Sequence, residues 1–205
     1  MNTLTKVILY ILFAICALSL CPCKGHTEDL KLRVVQARGV GGLPRVQVQR
    51  MLARLVYEVR EETGVRLRVS RFTSLRGYPD FSIQGANNVW ADWSLYFRSK
   101  SKADVNLAVL PPAKDAGRIW ILGWAHVCKR GGTAMASVMP INTDGEGRLQ
   151  ESYTAIKHEV YHVLGARHIN DKRCNLMYEA ALICGASIPT LPETIREVSK
   201  CAGRW

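Results

Sequence analysis

The sequence predicts a mixed α/β (α+β) domain. Three observations carry that expectation. Short stretches with apolar residues at every second position alternate with stretches whose apolar residues recur at helical spacing. The chain has 205 residues, enough for one domain and a short targeting segment. The run His158-Glu159-Val160-Tyr161-His162-Val163-Leu164-Gly165-Ala166-Arg167-His168 makes chemical sense only on a helix that ends in a tight turn.

The elements follow in order. After Lys6, residues 7–20 are almost wholly apolar, and Cys21-Pro22-Cys23-Lys24-Gly25 breaks the run. Residues 1–25 therefore read as a secretory signal peptide, leaving 26–205 as the domain. The competing reading is a retained membrane anchor, but the run is short against the roughly 20 residues a span needs. Leu20 before Cys21 argues against a bacterial lipoprotein.

Residues 30–37 (LKLRVVQA) alternate as a half-buried strand does. Glycines 39, 41 and 42 with Pro44 make a turn. Residues 46–63 then form an amphipathic helix with Val48, Leu52, Leu55, Val56 and Val59 on one face, closed by Gly64. A second strand is expected at 65–72, a loop at 74–88 and a short helical turn within 91–101. Residues 105–110 (VNLAVL) read as a more buried strand, ended by Pro111-Pro112. Further strands are expected at 119–127 and 133–141, a polar turn at 142–147, a helix at 152–164 and a last helix at 192–200.

The helix at 152–164 carries the chemistry. His158 and His162 lie one turn apart on the same face, where two imidazoles can hold one zinc ion. Glu159 stands beside them as a general base for water. Gly165 can take the left-handed conformation that ends a helix, so the chain turns back and delivers His168 as a third ligand. Three histidines leave one zinc position open, as in a catalytic site. A chance match to the whole pattern is on the order of 10⁻⁷ per start, so a surface helix with unrelated histidines is a poor account. His126, alone on an expected strand, reads as a packing or surface residue, not a ligand.

Removing the signal leaves Cys128, Cys174, Cys184 and Cys201, which suggests two disulfides with three pairings open. Cys174–Cys184 would clamp the segment after the zinc helix, and Cys128–Cys201 would tie the last helix to the body. No CxxC pair argues for a second zinc site. The formal net charge is +11, with Lys and Arg scattered through the chain. That suits solubility or attraction to acidic surfaces. No aromatic–basic interleaving or nucleic-acid motif is present.

HExxHxxGxxH followed by Asn175-Leu176-Met177-Tyr178 resembles the metzincin metalloproteases, whose motif is followed by a methionine-bearing turn, the Met-turn. The resemblance implies zinc on His158, His162 and His168, Glu159 as base and Met177 as structural floor. It implies a twisted, mostly parallel five-stranded sheet with one antiparallel edge strand. Leu122-Gly123-Trp124-Ala125-His126-Val127-Cys128 resembles the edge strand of the adamalysin (reprolysin) branch. That likeness implies a Cys128–Cys201 pairing and peptide binding by strand addition. Ile169 stands where adamalysins have Asp, and the Leu176-Met177-Tyr178 order is closer to matrixins. Glu179 occupies the place of an extra tyrosine ligand in some metzincins, so Tyr178 is not expected to bind metal. Arg76-Gly77-Tyr78-Pro79-Asp80 resembles a propeptide switch but lacks its cysteine and is read as a loop.

The expected function is a secreted, extracellular zinc endopeptidase acting on protein or peptide substrates. A monomer is expected, without nucleic acid and without stable membrane association once the signal is cut. Residues 178–181 are expected to wall a specificity pocket. The alternatives are a secreted zinc-bound binding protein or toxin with little proteolysis, and a membrane-anchored form of the same protease. The intact Glu159 counts against the first.

Overall fold

The computed structural model describes residues 29–39, 42–76, 85–112, 123–138, 145–169, 175–177 and 188–205. The elements among them are β1 (Leu30–Ala37), α1 (Arg45–Thr63), β2 (Leu67–Leu75), α2 (Ala86–Lys100), β3 (Val105–Leu110), β4 (Gly123–Ala125), β5 (Gly132–Ser137), α3 (Gly145–Leu164) and α4 (Pro192–Ala202). Residues 1–25, expected to be a signal peptide, lie outside the described residues. No helix among them is long and apolar enough to cross a membrane.

The strands form one five-stranded sheet in the order β2-β1-β3-β5-β4. β2, β1, β3 and β5 run parallel, and β4 pairs antiparallel with β5. This is the mostly parallel sheet with an antiparallel edge strand that the resemblance implied. Strand alternation sends side chains to two faces. Leu32, Val34, Leu107, Val109, Ala134 and Ala136 meet α1, α3 and α4 in the larger core. Val35, Ala108, Leu110 and Met135 meet α2 on the other face. With both faces covered, β3 and β5 are buried at every position.

In α1, Val48, Leu52, Leu55 and Val59 are buried as expected, joined by Met51, while Val56 is partly buried. In α3, Ile156, Val160, Val163 and Leu164 are fully buried, so the apolar stripe faces the core. α3 begins at Gly145, about two turns before the expected start. Residues 145–147 are therefore its first turn and not part of a polar turn.

The largest departure is α2. A short helical turn was expected after a loop, and a 15-residue helix is present. Trp90, Trp93 and Phe97 recur at helical spacing and pack on the second sheet face, which would otherwise be bare. Arg33 on β1 is buried beneath this helix. Its guanidinium lies over the Tyr96 and Phe97 rings and its Nη1 donates to the Lys100 carbonyl at the helix end. β2 runs on to Leu75, and the described parts of the next expected strands are Gly123–Ala125 and Gly132–Ser137.

Candidate metal centre

α3 presents His158 and His162, and the chain returns after Gly165 to bring His168 against them. The three Nε2 atoms lie 3.1–3.2 Å apart. Nitrogens at the corners of such a triangle each sit about 1.8 Å from its centre, so an ion at about 2.0–2.1 Å from all three lies about 1 Å out of their plane. The three rings thus fit a single zinc ion without rearrangement.

The tautomers agree. His158 Nδ1 donates to the Leu176 carbonyl at 2.6 Å, and His162 Nδ1 donates to the Ala166 carbonyl at 2.8 Å. A carbonyl can only accept, so both protons sit on Nδ1 and both Nε2 lone pairs face the shared point. Lone pairs converging at this distance repel unless a cation lies among them. Burial pushes the His158 imidazole down to about 3, helped by the neighbouring His162 and His168. Burial likewise lowers His162 to about 4. Both are neutral at ordinary pH, which is the ligating form.

The turn carrying Met177 supports the ligands from below. Leu176 supplies the carbonyl that orients His158, and the Met177 carbonyl accepts from the Ile169 amide, one residue past His168. The Met177 amide donates to Asn175 Oδ1 at 2.9 Å, and the Met177 side chain is fully buried. Met177 thus lies buried on the turn whose backbone touches the residues next to the histidines.

Gly165 has φ +124, and a Cβ there would lie 2.3 Å from Cys201 Cβ. The glycine thus serves both the reversal of the chain and the close approach of α4. Cys128 and Cys201 form a disulfide with Cα atoms 5.7 Å apart. The Cys128 and Lys129 amides donate to the His162 and Val163 carbonyls, so the segment after β4 covers the C-terminal end of α3. Cys174, Cys184 and residues 178–181 lie outside the described residues.

Glu159 is buried, with Oε1 3.9 Å from His158 Nε2. Burial pushes its carboxyl up to about 8; a cation among the histidines would pull it back toward the charged form. The cleft above is lined by Gly123, Trp124 and Ala125 of β4, by Glu159 and the histidines, and by Arg167. His126 takes no part. Its Nδ1 accepts from the Thr133 amide and its ring packs 5.0 Å from Trp90, as expected of a packing residue. Sequence reasoning missed Arg167 and the tight fit of Gly123 over Glu159. The glycine at the start of the edge strand was the only signal for the latter.

No family model and no curated protein sequence matches the chain. Solved structures do. An archaemetzincin from Methanopyrus kandleri is similar with a TM-score of 0.63 and 19% identity, covering 90% of this chain and 100% of that one. Metalloproteinase-II from Bacteroides fragilis is similar with a TM-score of 0.56 and 15% identity over 85% of this chain, which spans about half (55%) of that protein. These likenesses do not point to the adamalysin branch. The edge strand and the Cys128–Cys201 bridge that suggested it are local features. What the comparisons establish is architecture: this chain has the metzincin-like fold of the archaemetzincin, with three histidine nitrogens gathered at its centre.

Proposed function

We propose that this chain is a zinc-dependent endopeptidase that acts outside the cell as a monomer on protein or peptide substrates. The observation that carries the reading is the convergence of three oriented Nε2 lone pairs next to a buried carboxylate, at the floor of a cleft rimmed by a sheet edge. An all-imidazole donor set with an open position suits zinc.

When bound, the ion supplies Lewis acidity toward a carbonyl oxygen and toward water. The chain's residues do the rest. β4 is the last strand of the sheet and lines the cleft, so its edge can take an extended peptide by main-chain hydrogen bonds. Glu159 accepts the proton of the attacking water on its carboxylate and returns it to the leaving amine. The buried surroundings of Glu159 keep bulk water from competing for that proton.

The test incubates the purified chain with denatured protein, with and without a chelator, beside Glu159→Ala. Cleavage that the chelator and the substitution each abolish, with zinc retained by the variant, is the expected result. Zinc bound by the unaltered chain without any cleavage would overturn the reading in favour of a zinc-bound binding protein. N-terminal sequencing of exported material checks removal of the first 25 or so residues.

A further inference from the structure

Glu62, near the end of α1, touches α3 at two places that the proposed chemistry does not use. Its Oε1 accepts from Lys157 Nζ at 2.7 Å and its Oε2 accepts from the Tyr161 hydroxyl at 2.5 Å. Lys157 immediately precedes His158, and Tyr161 immediately precedes His162. One carboxylate therefore grips the chain neighbours of both helical ligands, one turn apart. On α3 these neighbours lie about 100° round from the ligand row, so the grip comes from the flank and leaves the cleft open.

The contact is directional, and its α3 side is buried. Lys157 is 6% exposed and Tyr161 is fully buried. Glu58, one turn earlier on α1, accepts from Lys157 Nζ at 2.8 Å and from the Tyr153 hydroxyl at 2.7 Å, and pairs with Arg54. The apolar stripe of α3 cannot replace this grip. Hydrophobic burial is non-directional and tolerates small slides and rotations. A metal-binding constellation needs its ligands held within about 0.5 Å.

We propose that Glu62 is a positioning residue for the metal centre. Through Lys157 and Tyr161 it fixes the rotation and slide of α3, and so sets the affinity of the three-histidine site for its ion. This rests on metal binding by the chain and is independent of proteolysis.

The experiment measures the Zn²⁺ dissociation constant by competition with a chromogenic chelator, beside the thermal stability of the metal-free protein. The variants are Glu62→Ala, Tyr161→Phe and, as a control for destabilisation alone, Phe97→Leu in the core under α2. Loss of a supporting partner around a metal site typically weakens binding by about 10-fold or more. Glu62→Ala is expected to do so by about that factor and Tyr161→Phe by less, with Phe97→Leu unchanged at similar loss of stability. Glu62→Ala binding zinc as tightly as the unaltered chain would overturn the proposal. Should Glu62→Ala fail to fold, Tyr161→Phe with unchanged affinity overturns it equally. An unaltered chain that binds no zinc overturns the metal-centre reading itself, so the two failures are told apart.

Discussion

Gly123 and Glu159 occupy adjoining space: a Cβ built on Gly123 would lie 1.9 Å from Glu159 Oε1 and 2.2 Å from Cδ. The edge strand can lie this close to the carboxylate only where a residue has no side chain. Gly123→Ala must displace either β4 or the carboxylate, while the three histidines keep their own supports. The expected outcome is a fall in kcat/KM of about 100-fold, the scale of a misplaced reacting group, with zinc content unchanged. Steady-state kinetics and metal analysis on the same sample check it.

Arg167 lines the cleft next to His168, and among the described residues its guanidinium has no ion-pair partner. A free cation there favours substrates with acidic side chains near the scissile bond. Peptides carrying Asp or Glu are expected to be cleaved about fivefold better than those carrying Lys at low salt, the scale of an exposed ion pair. Arg167→Glu should reverse the order, and added salt should shrink both effects. A peptide series assayed at two ionic strengths decides it.

Glu58 makes acid stability measurable. Burial pushes its carboxyl up, but hydrogen bonds from Lys157, Arg54 and Tyr153 outweigh that and bring it down from 4.5 to about 2. A carboxyl lowered on folding stabilises above its unfolded pKa, and that stability is lost as pH falls through the folded value. The loss should run from about pH 4.5 to about pH 2 and amount to about 2 kcal/mol, allowing for partial exposure. Denaturant titration of metal-free protein against Glu58→Gln isolates it, because the histidine contributions are common to both.

Gly165→Ala tests the reversal after α3. Positive φ strains any side chain there, and the new methyl would meet Cys201. A stability loss of about 2 kcal/mol or more is expected, together with weaker zinc binding, since His168 depends on the same turn. Chemical denaturation and chelator competition read the two effects separately.

The gathering of the three histidines was legible in the sequence because its parts are local. His158, Glu159, His162, Gly165 and His168 are linked by the geometry of one helix and one turn. The fully buried strand at 105–110 and the stripe of α1 were legible for the same reason. α2 was obscured because Trp90, Trp93, Tyr96 and Phe97 have middling helix propensity, and only the bare sheet face makes their spacing decisive. The start of α3 was hidden by Gly145 and Gly147, which are poor helix formers. Glu62 and Lys157 are 95 residues apart, and no local rule pairs them. Nor does any rule of spacing bring Gly123 over Glu159.

The bridge between Cys128 and Cys201 also imposes an order on biosynthesis. Cys201 is added to the growing chain 73 residues after Cys128, a delay of roughly 4–15 seconds at usual elongation rates. All three imidazoles have by then been added, while the strap over the end of α3 still has no second anchor. The rim of the cleft can therefore be locked only once the last helix has been made.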